Sequence, residues 1–306
     1  MTLTAKRFFS PPGSRLDRGF QAGRAKEADR SMEADLALEC EYFSNLKMRN
    51  GTFKLTRPSR FAMLEAVFGP ILRERVKGPC TVLDIGASTG LTTVELADFL
   101  RAQGAAPHVI GTDLFIEAHL VDLAPGIHVL SDPDGWPLQY GVAGVGIRAW
   151  VRRLDYVTLA VLPRLLARSL LRPRLRRQIA AGASQSVRME SRALSGRPIR
   201  LVENDIFVPE PAFEARFDFI RAANILNLGY FKPDRLRVAI ANIRAYCRGP
   251  GALLLVVKTG GAQHDGTLFE LGEAGSFRVL ARVGKGSEIE ALVVGDAGAA
   301  ERRGAS

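Results

Sequence analysis

The feature that most constrains this chain is residues 80–93, CTVLDIGASTGLTT, where an apolar run gives way to glycines and then to a helical pattern. A strand that turns through glycine into a helix opens a strand–helix–strand unit, and such units build sheets with helices on their faces. Two uses of the turn compete. Gly86-Ala87-Ser88-Thr89-Gly90 matches G-x-S-x-G, the strained turn that exposes a nucleophilic serine in α/β-hydrolases. The same glycines can instead let backbone approach a ligand where a Cβ would collide.

Context favours the second use. A hydrolase elbow lies deep in its sheet, behind several strands and a glycine-rich oxyanion loop. The segment upstream of Cys80 has helical spacing and no such loop. A triad order of Ser88, Asp205 and His264 can be written, but in a chain with many aspartates such an order arises by chance. The phosphate fingerprint G-x-G-x-x-G is absent, as is any Gly-Lys-Thr/Ser. The expected ligand is therefore an adenosine compound without phosphate.

The alternation continues along the chain. Strands are expected at 81–85, 109–112, 199–202, 217–221 and 252–257, with helices at 91–102 and 233–247. Residues 277–283 and 288–294, about Gly284-Lys285-Gly286-Ser287, read as a closing antiparallel hairpin. Upstream, Met32, Leu36, Cys40 and Phe43 mark a helix over 28–46, and a second runs from Pro58 past Phe61, Leu64, Val67 and Phe68 to Gly69-Pro70. The expected fold is α/β: a doubly wound, mostly parallel sheet with a C-terminal antiparallel hairpin, N-terminal helices and a helical insertion. The expected organisation is a flexible arm at 1–26, a helical extension at 27–79, a core of 80–115 with 199–295, an inserted basic subdomain at 116–198 and a flexible tail at 296–306.

The chain has 306 residues and a net charge of +10, and the charge is local: residues 148–177 hold nine arginines against one aspartate. The insertion opens with a small hairpin pattern at 127–140 and continues as two basic helices. In the first, Trp150, Leu154, Val157 and Val161 oppose Arg148, Arg152 and Asp155; in the second, Leu162, Leu166 and Leu170 oppose Arg164, Arg168 and Arg172. Two readings fit: a lid whose leucines pack inward and whose arginines are solvated, or a peripheral contact with anionic membrane through 148–177. Nucleic acid is the weaker partner, because Trp150 and Tyr156 are the sole aromatics interleaved with the arginines. Cys40, Cys80 and Cys247 form no C-x-x-C pair, so neither a disulfide framework nor a metal site is expected. No signal-peptide core or membrane span is read, which makes the expected setting cytoplasmic, with peripheral attachment at the inner membrane face as the variant.

Val82-Leu83-Asp84-Ile85-Gly86-Ala87-Ser88-Thr89-Gly90 resembles the first motif of class I S-adenosylmethionine-dependent methyltransferases, hydrophobic-hydrophobic-Asp-hydrophobic-Gly-x-Gly-x-Gly, with Ser88 at the usual middle glycine. Val109-Ile110-Gly111-Thr112-Asp113, Val202-Glu203-Asn204-Asp205-Ile206, Phe217-Asp218-Phe219-Ile220-Arg221-Ala222-Ala223-Asn224 and the turn Arg248-Gly249-Pro250-Gly251 into 252–256 resemble the later motifs, in the family's order. The resemblance covers about 80–115 and 199–295. It implies a Rossmann-like, seven-stranded fold, S-adenosyl-L-methionine as cofactor and transferase activity. It implies cofactor contacts from Asp84, Gly86, Ser88, Gly90, Leu114 and Asn224, with Asp113 on the ribose hydroxyls, Asp205 on the adenine amino group and Ile206 against the ring. Asn224, Asn227 and Tyr230 are the candidates for the catalytic, acceptor-facing loop, which has some likeness to that of chemotaxis-receptor methyltransferases; the same side chains could equally satisfy backbone groups. The expected acceptor is a small molecule or a lipid. The alternatives are an RNA or protein acceptor, and a non-catalytic adenosine-ligand-binding protein at the membrane surface.

Overall fold

The computed structural model describes residues 3–9, 32–54, 58, 61–152, 155–156, 161–260 and 263–295. In chain order the helices and strands are α1 (Ala5–Phe8), α2 (Met32–Ser44), α3 (Ala62–Arg75), β1 (Gly78–Ile85), α4 (Leu91–Ala102), β2 (Ala105–Asp113), β3 (Glu117–Ala124), β4 (Ile127–Ser131), β5 (Pro137–Val142) and β6 (Val145–Arg148). They continue as α5 (Val161–Ala180), β7 (Gln185–Arg188), β8 (Ile199–Glu203), β9 (Phe219–Ala223), α6 (Pro233–Tyr246), β10 (Leu253–Gly260), β11 (Gln263–Leu271), β12 (Phe277–Val283) and α7 (Glu290–Val294). The chain divides into two compact units: Met1–Thr56 with Phe115–Arg192, and Arg57–Leu114 with Ala193–Ser306.

The larger unit is built on a seven-stranded sheet of order β12-β11-β10-β9-β1-β2-β8. Strands β10, β9, β1, β2 and β8 run parallel, and β11 and β12 close one edge antiparallel. Because successive side chains point to opposite faces, β1 delivers Leu83 and Ile85 to one core and Val82 to the other. Helix α6 covers the first through Leu236, Ala239, Ile240 and Ile243. Helices α3 and α4 cover the second through Leu64, Phe68, Leu72, Leu96 and Leu100.

Two sequence expectations change here. The helix expected to stop at Gly69-Pro70 runs on to Arg75 with Pro70 inside it. Leu72 continues the buried Leu64–Phe68 row at i, i+4, so packing on the sheet outweighs the donor that proline lacks. The closing hairpin also lies elsewhere: β11 pairs with β10 and β12, while 290–294 is helical. Ile289 and Val293, four apart and fully buried, carry a helical period and not an alternating one. Strand β11 escaped notice because Thr267, Leu268, Phe269, Glu270 and Leu271 are all buried, which erases the alternation that marks a half-exposed strand.

The smaller unit contains a five-stranded antiparallel sheet of order β6-β5-β4-β3-β7, of which the expected hairpin is the β4–β5 part. One core brings Phe8, Tyr42, Phe43 and Leu46 together with Leu120 and Leu130. The second lies under α5 and joins Leu175 to Val121 and Val129, with Leu171, Ile179 and Tyr140 packed against it. The first basic helix expected from Arg148 to Val161 is not found as such: Arg148 ends strand β6 and 149–152 are not helical, while 153–154 and 157–160 lie outside the described residues. The arm expected to be flexible over 1–26 contains α1, whose Ala5 and Phe8 are buried in this unit's core; 10–26 and the tail at 296–306 lie outside the described residues. The second basic helix is present as α5. Among the described residues, no helix is long and apolar enough to cross a membrane.

Candidate functional site

Every residue proposed from the motifs, apart from Asp84, stands at or just past the carboxyl end of a parallel strand of the large sheet. The loop 86–90 follows β1, Leu114 follows Asp113 at the end of β2, Asp205 and Ile206 follow β8, and 224–230 follow β9. The chain moves outward from β1 through β2 to β8, then crosses back to β9 on the other side of β1. Such a reversal leaves a crevice beyond the strand ends at β1 and β9, where open α/β sheets bind ligands.

The loop after β1 is tightly wound. Gly86, Ser88 and Gly90 have φ of +83°, +56° and +83°. The N–H groups of Gly86 and Ala87 both donate to the Thr112 carbonyl, at 2.8 and 2.9 Å, and Gly90 N–H donates to Ala87 O at 2.8 Å. Ser88 therefore occupies a left-handed conformation that costs an L-residue about 1 kcal/mol, which explains why glycine is usual at that motif position. Its N–H donates to Asp113 Oδ2 at 2.9 Å, so the carboxylate at the end of β2 is drawn to the loop after β1. A Cβ built on Gly86 would lie 2.6 Å from Ile225 Cδ1, and one on Gly90 would lie 2.7 Å from Leu194 Cδ1. The space opened by these glycines is filled by the protein's own Ile225 and Leu194 side chains.

Asp84 differs from the other motif residues. It is 1% exposed, and its carboxylate accepts from Arg221 Nε at 2.7 Å, Arg221 Nη2 at 2.8 Å and Thr93 Oγ1 at 2.6 Å. Arg221 Nη2 also donates to Thr92 O at 2.9 Å, and the guanidinium lies 4.8 Å from the centre of the Phe61 ring. The resemblance groups Asp84 with the cofactor contacts; its geometry makes it instead a clasp joining β1, β9 and the first turn of α4. A buried bidentate pair of this kind leaves the carboxylate little capacity for a ligand.

The loop after β9 is shaped by its own amides. Asn224 has φ +61°, a conformation asparagine tolerates better than most residues. Its N–H donates to Val257 O at 2.9 Å, and its Oδ1 accepts from Thr259 N–H at 2.7 Å. Asn227 donates from Nδ2 to Asn224 O at 3.2 Å and accepts at Oδ1 from Tyr230 N–H at 3.1 Å. Both side chains hold backbone, and Tyr230 stands out as an exposed ring. Glu288 braces the same loop, accepting from Leu228 N–H at 2.8 Å and Lys258 Nζ at 2.9 Å. The lysine hydrogen bond holds the Glu288 carboxyl below its ordinary 4.5. On the opposite flank Asp205 Oδ1 accepts from Phe207 N–H at 3.0 Å, which winds the turn after β8 and leaves Ile206 buried, while Leu114 is half exposed.

Strand order, the glycine loop and the acid at the end of β2 together decide the architecture. The fold is the doubly wound, mostly parallel α/β sheet that the resemblance to class I methyltransferases implies. No protein-family model matches the sequence, and no curated protein does. Similar solved structures include the amino pentose methyltransferase CalS10 from Micromonospora echinaspora with S-adenosylmethionine bound, at 14% identity over 75% of this chain and 78% of that one, TM-score 0.31. They also include a methyltransferase from Aquifex aeolicus dependent on S-adenosylmethionine, at 12% identity over 66% and 73%, TM-score 0.28. The 4+2 cyclase SpnF is a third, at 13% identity over 65% of this chain, TM-score 0.29; this chain spans 48% of the cyclase's length, about half.

Within this fold, four residues went unread in the sequence. Ile225 and Leu194 are apolar and carry no signal of their own. Glu288 sits in a turn and gives none either. Arg221 does: an arginine inside the apolar run Phe219-Ile220-Arg221-Ala222-Ala223 cannot be buried in a central strand without an acid, and Asp84 is its partner in register on β1.

Proposed function

We propose that this chain transfers a methyl group from S-adenosyl-L-methionine to a small-molecule or lipid acceptor. The observation that carries the reading is the bond from Ser88 N–H to Asp113 Oδ2, which joins the glycine loop of β1 to the acid of β2 at the switch point of the sheet. The residues there fit the cofactor's chemistry. Asp113 would accept from the two ribose hydroxyls, a bidentate task suited to a carboxylate. Asp205 and Ile206 would meet the adenine, the backbone at Gly86, Ser88 and Gly90 would face the rest of the donor, and Asn224 would stand at its reactive end. Leu114, half exposed beside Asp113, supplies an apolar wall.

The cofactor brings a methyl group already activated by the sulfonium charge, so the protein's work is to bind, align and exclude water. Asn224 and Asn227 serve as positioning residues, because their polar atoms fix the loop that presents the acceptor. Tyr230 is the group of the three with a proton to exchange, and its exposed ring is assigned the acceptor contact. Asp84 serves the reaction indirectly, by holding β1 and β9 in the register that sets the two loops side by side.

Incubation with methyl-labelled S-adenosylmethionine and fractionated small-molecule and lipid extracts tests the reading. Label is expected to leave the cofactor for one fraction, with Tyr230→Phe lowering the rate and leaving cofactor affinity unchanged. Cofactor binding with no transfer to any fraction, protein and RNA included, would favour the non-catalytic alternative.

A further inference from the structure

The smaller unit orients helix α5 against the usual rule. Amphipathic surface helices turn apolar residues inward. Here Leu162, Leu166 and Leu170, one row at i, i+4, are 61%, 60% and 67% exposed, with Leu165 exposed beside them. Arg164 and Arg168 of the opposite row are drawn into the unit. Arg164 donates to Arg148 O and pairs with Asp155 at 3.3 Å, and Arg168 lies 4.4 Å over the Trp136 ring and reaches Ala149 O. The second half of the helix exposes Arg172, Arg174, Arg176 and Arg177. No aspartate or glutamate occurs between Tyr156 and Met189.

A second apolar set lies on the same side of this unit's sheet. Val129 pairs with Tyr140 and Tyr140 with Ile147; Ile127 pairs with Val142 and Val142 with Val145. Directly opposed residues share a face, so Ile127, Val142, Val145 and Ile147 extend the face that α5 covers at Val129 and Tyr140. They are not among the residues packed with Leu175 of α5, and they are 39–45% exposed.

We propose that this side of the smaller unit docks on an anionic lipid surface, with the α5 leucines and the 127–147 hairpin entering the acyl boundary and the four exposed arginines at the headgroups. Exposed leucines need hydrocarbon, and an acid-free arginine segment needs negative charge; an anionic bilayer offers both in one plane. Nucleic acid offers the charge without the hydrocarbon. The two tryptophans that could stack bases are already covered, Trp136 by Arg168 and Trp150 by Arg148 and Arg152. A second copy of the chain would set the same positive segment against itself. The helix lies on the membrane and does not span it.

The test is co-sedimentation of the full chain, without cofactor, with phosphatidylcholine vesicles with and without phosphatidylserine. Because no methyl transfer is involved, its outcome is independent of the proposed activity. The chain is expected to bind the anionic vesicles and weaken with added salt. Leu166→Glu with Leu170→Glu, and separately Val145→Glu, should each weaken binding at least about tenfold with an unchanged unfolding temperature. Wild-type protein left in the supernatant overturns the proposal. So does wild-type affinity in the leucine variant, which would make the contact a general attraction of arginines. A vesicle-free dimer abolished by the leucine substitutions, with no vesicle binding, would assign the face to a second copy.

Discussion

The carboxyl edge of the large sheet and helix α5 of the smaller unit treat polar side chains in opposite ways. At the sheet edge, amides and carboxylates turn inward to fix backbone: Asn224 holds Thr259, Asp205 winds its own turn, and Asp113 holds Ser88. Along α5, arginines are drawn inward onto carbonyls and a tryptophan while leucines face out. The first arrangement stiffens the loops at the strand ends, where open α/β sheets bind ligands. The second leaves an apolar surface exposed among the described residues, which points outward to a partner.

Substitutions at buried members of each region should break this contrast most severely. Asp84→Asn leaves the Arg221 guanidinium buried without its counter-ion and should destabilise the larger unit by about 3–5 kcal/mol in urea unfolding. A loss under about 1 kcal/mol would show that the clasp is not what holds β1 to β9. Leu175→Ala, at a fully buried position of α5, should cost about 2–4 kcal/mol. Leu166→Ala, nine positions earlier on the outward side, should change stability by no more than about 0.5 kcal/mol. Equal effects of the two leucine variants would refute the inverted orientation of the helix.

Glu288 gives the sheet edge a smaller, pH-dependent term. Its folded carboxyl lies below the ordinary 4.5, so the stabilisation is present above that value and fades as pH falls through the depressed folded value. Glu288→Gln should therefore lower stability at pH 7 by about 0.5 kcal/mol given the pair's exposure, and the gap should close as pH falls through the depressed folded value. A gap that persists in acid would count against the ionised pair. The smallest effect is expected at Ser88. Glycine relieves about 1 kcal/mol of left-handed strain and gives back a similar amount in unfolded-chain entropy, so Ser88→Gly should be near neutral in thermal unfolding. A large loss would mean the hydroxyl has a role of its own.

Much of the large sheet was legible because parallel strands, buried on both faces, read as short apolar runs and each ends at a turn that glycine, aspartate or asparagine marks. That regularity located the loops of the crevice. It failed at Asp84, where sequence shows an acid at a motif position but not the arginine 137 residues later that takes it up. It failed again at β11, buried on both faces and interrupted by polar residues. For α5 the periodicity gave the helix and its two rows correctly, yet not which row faces out. That choice was made by Asp155, Trp136 and the carbonyls of Arg148 and Ala149, which lie outside the helix and offer arginine better partners than water. Nor could sequence say which sheet each N-terminal helix covers: α2 shares a core with β3 and β4, and α3 with the large sheet.

The most direct test of the central claim is calorimetric titration of S-adenosylmethionine and S-adenosylhomocysteine into wild-type protein and Asp113→Ala. The account predicts binding of both ligands by wild type, weakened by about 1.5–3 kcal/mol in a variant that unfolds like wild type. Folded wild-type protein that binds neither ligand, or an Asp113→Ala variant with undiminished affinity, would contradict it.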